Sequence, residues 1–170
     1  MDLREHIREI PDFPKPGIGF KDITTLMADA EALDEAIAGL AELAGDDDVE
    51  MVVAAEARGF LLGPALAREL GAGFILARKP GKLPHDTVQA EYALEYGTDT
   101  LEVHSDALRP GARVIVHDDL LATGGTAKAT VALLRGQGAD IVGVSFLIEL
   151  VELGGRAKLA GEKVSAVLQY

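Results

Sequence analysis

The sequence contains no cysteine and no tryptophan, and only 5% of its residues are aromatic. Without cysteine it has neither disulfides nor thiolate metal sites. No window approaches the roughly 18 to 20 apolar residues of a membrane span. The first ten residues, MDLREHIREI, are charged throughout and lack the apolar run of a secretory leader. A cytoplasmic protein without a membrane partner is therefore expected. Positive charge is scarce as well: 16 Lys and Arg face 28 Asp and Glu, a formal net charge of -12. That balance argues against non-specific attraction to nucleic acid or anionic lipid, while leaving room for a local basic pocket around a small ligand. Two common nucleotide-binding patterns are also missing. No loop places a lysine directly before a hydroxyl residue in the Walker manner, and no G-x-G-x-x-G follows a first strand. No group of residues has zinc spacing.

What is there is a chain of 170 residues, 48% hydrophobic and 26% charged, which suits one soluble domain with a sizeable core. Residues 2–10 read as a short amphipathic helix with Leu3, Ile7 and Ile10 on one side, followed by a stiff connection at Pro11, Pro14 and Pro16. Residues 30–44 give the clearest helix, since Leu33, Ile37, Leu40 and Leu43 or Ala44 recur at three- and four-residue spacing. Short apolar strands are predicted at 51–55, 73–78, 112–117 and 141–150. Helical segments fall between them in FLLGPALARELG, where Pro64 suits a first turn, and in TAKATVALLRGQG. Strands joined by helical crossovers imply an α/β fold with a mostly parallel sheet flanked by helices, its ligand site at the strand ends. Residues 79–104 break the series. They are polar and proline-containing, then read as two short strands around a Gly97 turn, which suits either a functional lid or a mobile excursion.

The segment VIVHDDLLATGGTA, residues 114–127, concentrates chemistry. Asp118 and Asp119 are expected where a strand ends, and Thr123 to Thr126 just before a helix. Such a turn aims backbone N–H groups and the positive helix terminus at an anion, and the threonine hydroxyls add donors. Gly124 and Gly125 carry no Cβ to hold a phosphate off the backbone. Carboxylates suit the opposite task, accepting from sugar hydroxyls and assisting Mg²⁺ through waters. A ribose 5-phosphate matches both halves. Each half also has a plainer reading, because Gly-Gly turns before helices are often structural and paired acids after a strand can be a solvated edge or a phosphoacceptor.

DDLLATGGT resembles the phosphoribosyl pyrophosphate motif of type I phosphoribosyltransferases, in the form usual for those acting on adenine. The likeness extends to PDFPKPGIGFKDIT (11–24), AEARGFLLGPALA (55–67), RKPGKLP (78–84), EYALEYG (91–97) and VSFLIELVELGGRAKL, in that order along the chain. The resemblance implies one phosphoribosyltransferase domain over residues 1–170, with a base-pocket segment at 1–28 and a lid at 79–104 forming a small hood. The implied reaction transfers the phosphoribosyl group of phosphoribosyl pyrophosphate to N9 of adenine, with AMP and diphosphate as products, Mg²⁺ as cofactor and a homodimer as assembly.

Carried over residue by residue, Asp118 and Asp119 hold the ribose hydroxyls, and Ala122, Thr123, Gly124, Gly125 and Thr126 cradle the 5-phosphate. Mg²⁺ is expected on the diphosphate, with Asp118 or Asp119 reached through water. Arg58 is implied as the main cation on the departing diphosphate, beside a non-proline cis peptide at Glu56–Ala57. Lys82, and with it Lys79, closes on the same group. Glu95 is implied as the acid/base residue, with Glu91 as the competing carboxylate. Phe20 falls to the base, Lys21 to the base or the diphosphate at a position where many relatives have arginine, and Tyr92 and Tyr96 are alternative aromatic surfaces for the lid. His117 departs from the aliphatic residue usual before the acids and is expected to be neutral and packed. Two rivals stay open: a transferase for another base such as xanthine, and a non-catalytic sensor of phosphoribosyl pyrophosphate.

Overall fold

The computed structural model describes residues 1–94 and 96–170. The chain divides into two compact units, Met1–Gly39 and Leu40–Tyr170. In the first, strand β1 (Arg8–Ile10) pairs antiparallel with β2 (Phe20–Asp22). The helix expected over residues 2–10 is a single 3-10 turn at Leu3–His6, capped by the Asp2 side chain, and Arg8 to Ile10 belong to the strand. Helical spacing of Leu3, Ile7 and Ile10 misled because a ladder partner ten residues downstream was not visible locally. Helix α1 (Thr24–Met27) follows, then helix α2 (Ala30–Ala44), which has the bounds its periodicity predicts and continues past Gly39 into the second unit. Its fully buried stripe is Ala32, Ala36, Ile37, Leu40 and Ala44.

The second unit is built on a five-stranded parallel sheet, from β3 (Met51–Ala55), β4 (Gly73–Ala77), β7 (Arg113–Leu121), β8 (Asp140–Glu149) and β9 (Val164–Gln169), in the order β4-β3-β7-β8-β9. Helix α3 (Gly63–Glu69) connects β3 to β4, with Pro64 in its first turn, where a missing N–H costs nothing. Helix α4 (Gly125–Gly136) connects β7 to β8. Alternation along β7 sorts its side chains by face. Val114 and Val116 share one core cluster with Ala127, Val131 and Leu134 of α4, while Ile115 and His117 are offset from it by one residue. The segment read as lid or excursion contains a regular hairpin, β5 (Thr87–Ala93) against β6 (Thr98–His104).

Strand β7 is longer than the sequence suggests. Its pairing with β3 ends at His117, but its pairing with β8 continues to Leu121. Asp118 and Asp119 therefore lie within the strand, not past its end. Two acids look like a stop signal in the sequence, yet a ladder on one side is enough to keep them extended. Among the described residues no helix is long and apolar enough to cross a membrane.

Candidate active site

The loop leaving β7 turns into α4 through Gly124, whose φ of +85° places it in the left-handed region at the N-cap. A side chain is disfavoured there by its own backbone. Space forbids one too: a Cβ on Gly124 would lie 2.7 Å from the Gly155 carbonyl oxygen. Residues Ala122 to Thr126 and Asp118 line one cavity of about 530 Å³, together with Tyr92 and Phe146. The structure thus brings together the five loop residues and the first acid singled out in the sequence. The donors at the cavity floor are those of a helix N-terminus, suited to an anion.

The two acids do different things because neighbouring strand residues point to opposite faces. Asp118 lines the cavity, and its Oδ1 accepts the Asp119 backbone N–H at 2.9 Å. Asp119 is only 3% exposed and accepts from Arg58, with Nε at 2.7 Å and a terminal guanidinium nitrogen at 2.6 Å. Burial and then the Asp119 charge push the Asp118 carboxyl well above the usual carboxylate range. Arg58 opens a 3-10 turn at Arg58–Phe60, directly after β3, and the Glu56–Ala57 peptide before it is cis. Gly59 in this turn sits against the acids: an added Cβ would be 3.3 Å from both Asp118 Oδ1 and the His117 carbonyl oxygen.

Among the described residues, the other predicted ones do not line this cavity. Lys79 pairs with Asp99 at 2.7 Å, which holds its ammonium above the usual range, and its backbone N–H donates to Glu56 at 2.7 Å. Asp99 also lies 3.4 Å from the Tyr92 hydroxyl. Arg78 is fixed by Glu56 at 3.2 Å and by an isolated bridge to Glu102, so the start of the 79–104 segment is anchored. Lys82 and Tyr96 are exposed. In the first unit, Lys21 lies 3.0 Å from Glu9, and the Phe20 ring meets Phe13 edge to face with centroids 5.1 Å apart. Glu95 lies outside the described residues. Tyr92, read in the sequence as a lid aromatic, lines the cavity; sequence reasoning missed Phe146 and Lys158, and neither belongs to a phosphate-binding pattern that could have marked it.

His117 is fully packed, with Nδ1 3.3 Å from Ser145 Oγ and, among the described residues, no hydrogen-bond partner for Nε2. Burial lowers its pKa from 6.5 to about 4, so it is neutral at pH 7. Its contribution to stability is complete above pH 6.5, where the folded and unfolded forms are both neutral. As pH falls from 6.5 toward about 4, the unfolded chain binds a proton that the folded chain refuses, and stability is lost. The loss is about 1.4 kcal/mol per pH unit at most. His117→Leu is expected to flatten the decline in urea midpoint between pH 7 and pH 4.5. Parallel curves for the variant and the wild type would contradict this.

The geometry has close counterparts among known proteins. Residues 20–165 match the phosphoribosyl transferase domain family. Adenine phosphoribosyltransferase of Clostridium perfringens is 54% identical over 170 residues, spanning 100% of this chain and 99% of the relative. The crystal structure of adenine phosphoribosyltransferase from Thermoanaerobacter pseudethanolicus superposes with a TM-score of 0.96 at 48% identity, covering 99% of this chain and 98% of that one. The Saccharomyces cerevisiae adenine phosphoribosyltransferase, complexed with an imino-altritol bisphosphate and adenine, gives 0.93 at 36% identity over 98% and 97% of the two chains. With a family model matched over residues 20–165 and full-length likeness of this kind, the chain belongs to the phosphoribosyl transferase domain family.

Proposed function

We propose that this chain transfers the phosphoribosyl group of 5-phospho-α-D-ribose 1-diphosphate to N9 of adenine, giving AMP and diphosphate in purine salvage. The observation that carries this reading is the cavity gathering Asp118 with Ala122 to Thr126 at the start of α4, in a chain whose full-length relatives are adenine phosphoribosyltransferases. In the reaction the ribose C1–O bond breaks and its electron pair leaves with diphosphate. The C1–N9 bond forms, and the proton on N9 departs. Positive charge grows on the ribose and negative charge on the leaving group, so pre-placed charges of the opposite sign lower the barrier.

Each residue then has a role. The loop N–H groups and the threonine hydroxyls hold the 5-phosphate, and Asp118 accepts from the ribose hydroxyls, joined by Asp119 once the ligand draws Arg58 from its carboxylate. Arg58 serves the diphosphate, joined by Lys82 and Lys79 when the hairpin segment moves. Phe20 serves the base, Lys21 the base or the diphosphate, and Tyr96 the lid that closes over the substrates. Mg²⁺ accompanies the diphosphate and, when bound, neutralises its charge. The donor chemistry fits. Among the described residues no three His, Cys, Asp or Glu side chains converge, whereas Asp118 offers hard oxygens to an ion that arrives with its own phosphate and water ligands. A homodimer in the cytoplasm completes the reading.

The test is product formation with Mg²⁺, phosphoribosyl pyrophosphate and one base at a time: adenine, hypoxanthine, guanine, xanthine or orotate. AMP formation with adenine alone supports the proposal. Turnover of a different base would keep the phosphate cradle and replace the base assignment. Binding of phosphoribosyl pyrophosphate without any turnover would replace the enzyme with a sensor. Glu95 is assigned the proton at N9, and Glu95→Gln is expected to lower kcat by about tenfold or more with the dissociation constant for phosphoribosyl pyrophosphate little changed. Single-turnover rates check this, and an unaltered rate would remove Glu95 from the mechanism.

A further inference from the structure

The 5-phosphate cradle is made of neutral groups: backbone N–H donors and two threonine hydroxyls. A phosphate dianion held only by neutral donors beside Asp118 has no full counter-charge, only the partial positive charge of the α4 N-terminus. Among the described residues lining the cavity, Asp118 and Lys158 are the charged ones, and Lys158 is the cation. It lies in neither the phosphate motif nor the hairpin segment, but in the 3-10 turn Gly155–Leu159 that follows β8.

This turn is fixed to the loop by contact between two glycines. A Cβ on Gly124 would strike the Gly155 carbonyl oxygen at 2.7 Å, and a Cβ on Gly155 would strike the Ala122 carbonyl oxygen at 2.5 Å. Both ends of the turn are held. Arg156 forks onto the buried Glu149 at 2.7 and 2.8 Å, and Leu159 is buried in the same cluster as Val131 and Leu134 of α4. Lys158 lies between these anchors and is exposed. Among the described residues no carboxylate pairs with Lys158, whereas its neighbours Arg135 and Arg156 are taken by Glu162 and Glu149. The same lysine also borders a second cavity of about 280 Å³, which Lys128 shares.

We infer that Lys158 is a substrate-binding residue that supplies the counter-charge for the 5-phosphate, with the Gly155–Leu159 turn forming the outer wall of that subsite. The inference rests on the proposed phosphoribosyl chemistry only in its choice of a phosphorylated ribose as ligand. An ammonium on that wall raises affinity for the dianion in both ground and transition states. It therefore acts on binding and not on the bond-breaking step. Because Lys158 is exposed, its effect should shrink as added salt screens it.

The experiment measures binding of ribose 5-phosphate to the full chain by calorimetry, alongside steady-state kinetics, for wild type, Lys158→Ala, Lys158→Arg and Lys128→Ala. Expected are a dissociation constant for ribose 5-phosphate raised about tenfold in Lys158→Ala, partial rescue by Lys158→Arg, and no change in Lys128→Ala. The KM for phosphoribosyl pyrophosphate should rise with it, while kcat, the KM for adenine and the affinity for free diphosphate stay within about twofold. Salt should narrow the difference between Lys158→Ala and wild type. Equal ribose 5-phosphate affinity in wild type and Lys158→Ala would overturn the inference, as would a loss confined to diphosphate, or an equal loss in Lys128→Ala. If wild type binds ribose 5-phosphate but turns over no base, the proposed function falls while the binding difference still decides the role of Lys158. If wild type binds no ribose 5-phosphate, the subsite and the inference fall together.

Discussion

Arg58→Gln is expected to lower kcat by about 10² to 10³-fold and to lower thermal stability at the same time. The two losses have separate causes. The first follows from the proposed role on diphosphate, where a guanidinium neutralises charge that appears only as the C1–O bond breaks. The second follows from the pair with Asp119, whose carboxylate is 3% exposed and receives two nitrogens of the guanidinium at 2.7 and 2.6 Å. Removing one partner of a buried pair costs about 3 to 5 kcal/mol. The lower end applies here, because 44% of the Arg58 side chain is exposed and water already screens part of the interaction. The double variant Arg58→Gln/Asp119→Asn separates the effects. It should regain much of the lost melting temperature, since no unpaired carboxylate remains, and regain no activity. Recovery of turnover in the double variant would show that Arg58 acts only through Asp119.

Gly124→Ala should raise the KM for phosphoribosyl pyrophosphate about 100-fold, whereas Gly125→Ala should have a far smaller effect. Both positions lie in one turn, and sequence alone does not rank them. Gly124 has φ +85° and faces a backbone carbonyl at 2.7 Å, which no side-chain rotation can relieve. Gly125 has an ordinary helical φ, and the nearest atom to an added Cβ is the Ala93 carbonyl oxygen at 4.0 Å. Alanine at 124 must either flip the turn or push the 155–159 segment away, and a displacement of about 1 Å at a binding site can cost 10²-fold. Affinity for ribose 5-phosphate reads the loop directly. Equal affinities in the two variants would show that the loop tolerates the shift and would refute the ranking.

The sheet was largely legible, because short apolar runs alternating with helical periodicity have few other solutions. The reading failed where a partner far along the chain decides the outcome. Arg8 to Ile10 are a strand only because Phe20 to Asp22 lie beside them. Asp118 and Asp119 stay in β7 only because β8 continues past β3. β9 was not anticipated at all, since VSAVLQ carries no sharper pattern than the loops around it. The phosphate loop was legible for the opposite reason: a strand end, two glycines and a helix start are contiguous, so its geometry is encoded locally. Lys158 was not, because it reaches the cavity through a Gly124–Gly155 contact spanning 31 positions, and nothing in GGRAKL announces that contact.

The raised Asp118 carboxyl carries a consequence for the energetics of ligand capture. Burial and the neighbouring Asp119 favour its protonated form in the free protein. A ribose hydroxyl or a cation-bearing diphosphate is served by the ionised form, so capture expels a proton into the buffer. Affinity should then climb with pH until the free acid has itself ionised, and level off above that point. The heat of binding measured in phosphate and in Tris should differ by the protons released times the difference in buffer ionisation enthalpy. Heats that agree between buffers would mean that the acid is already charged before the sugar arrives.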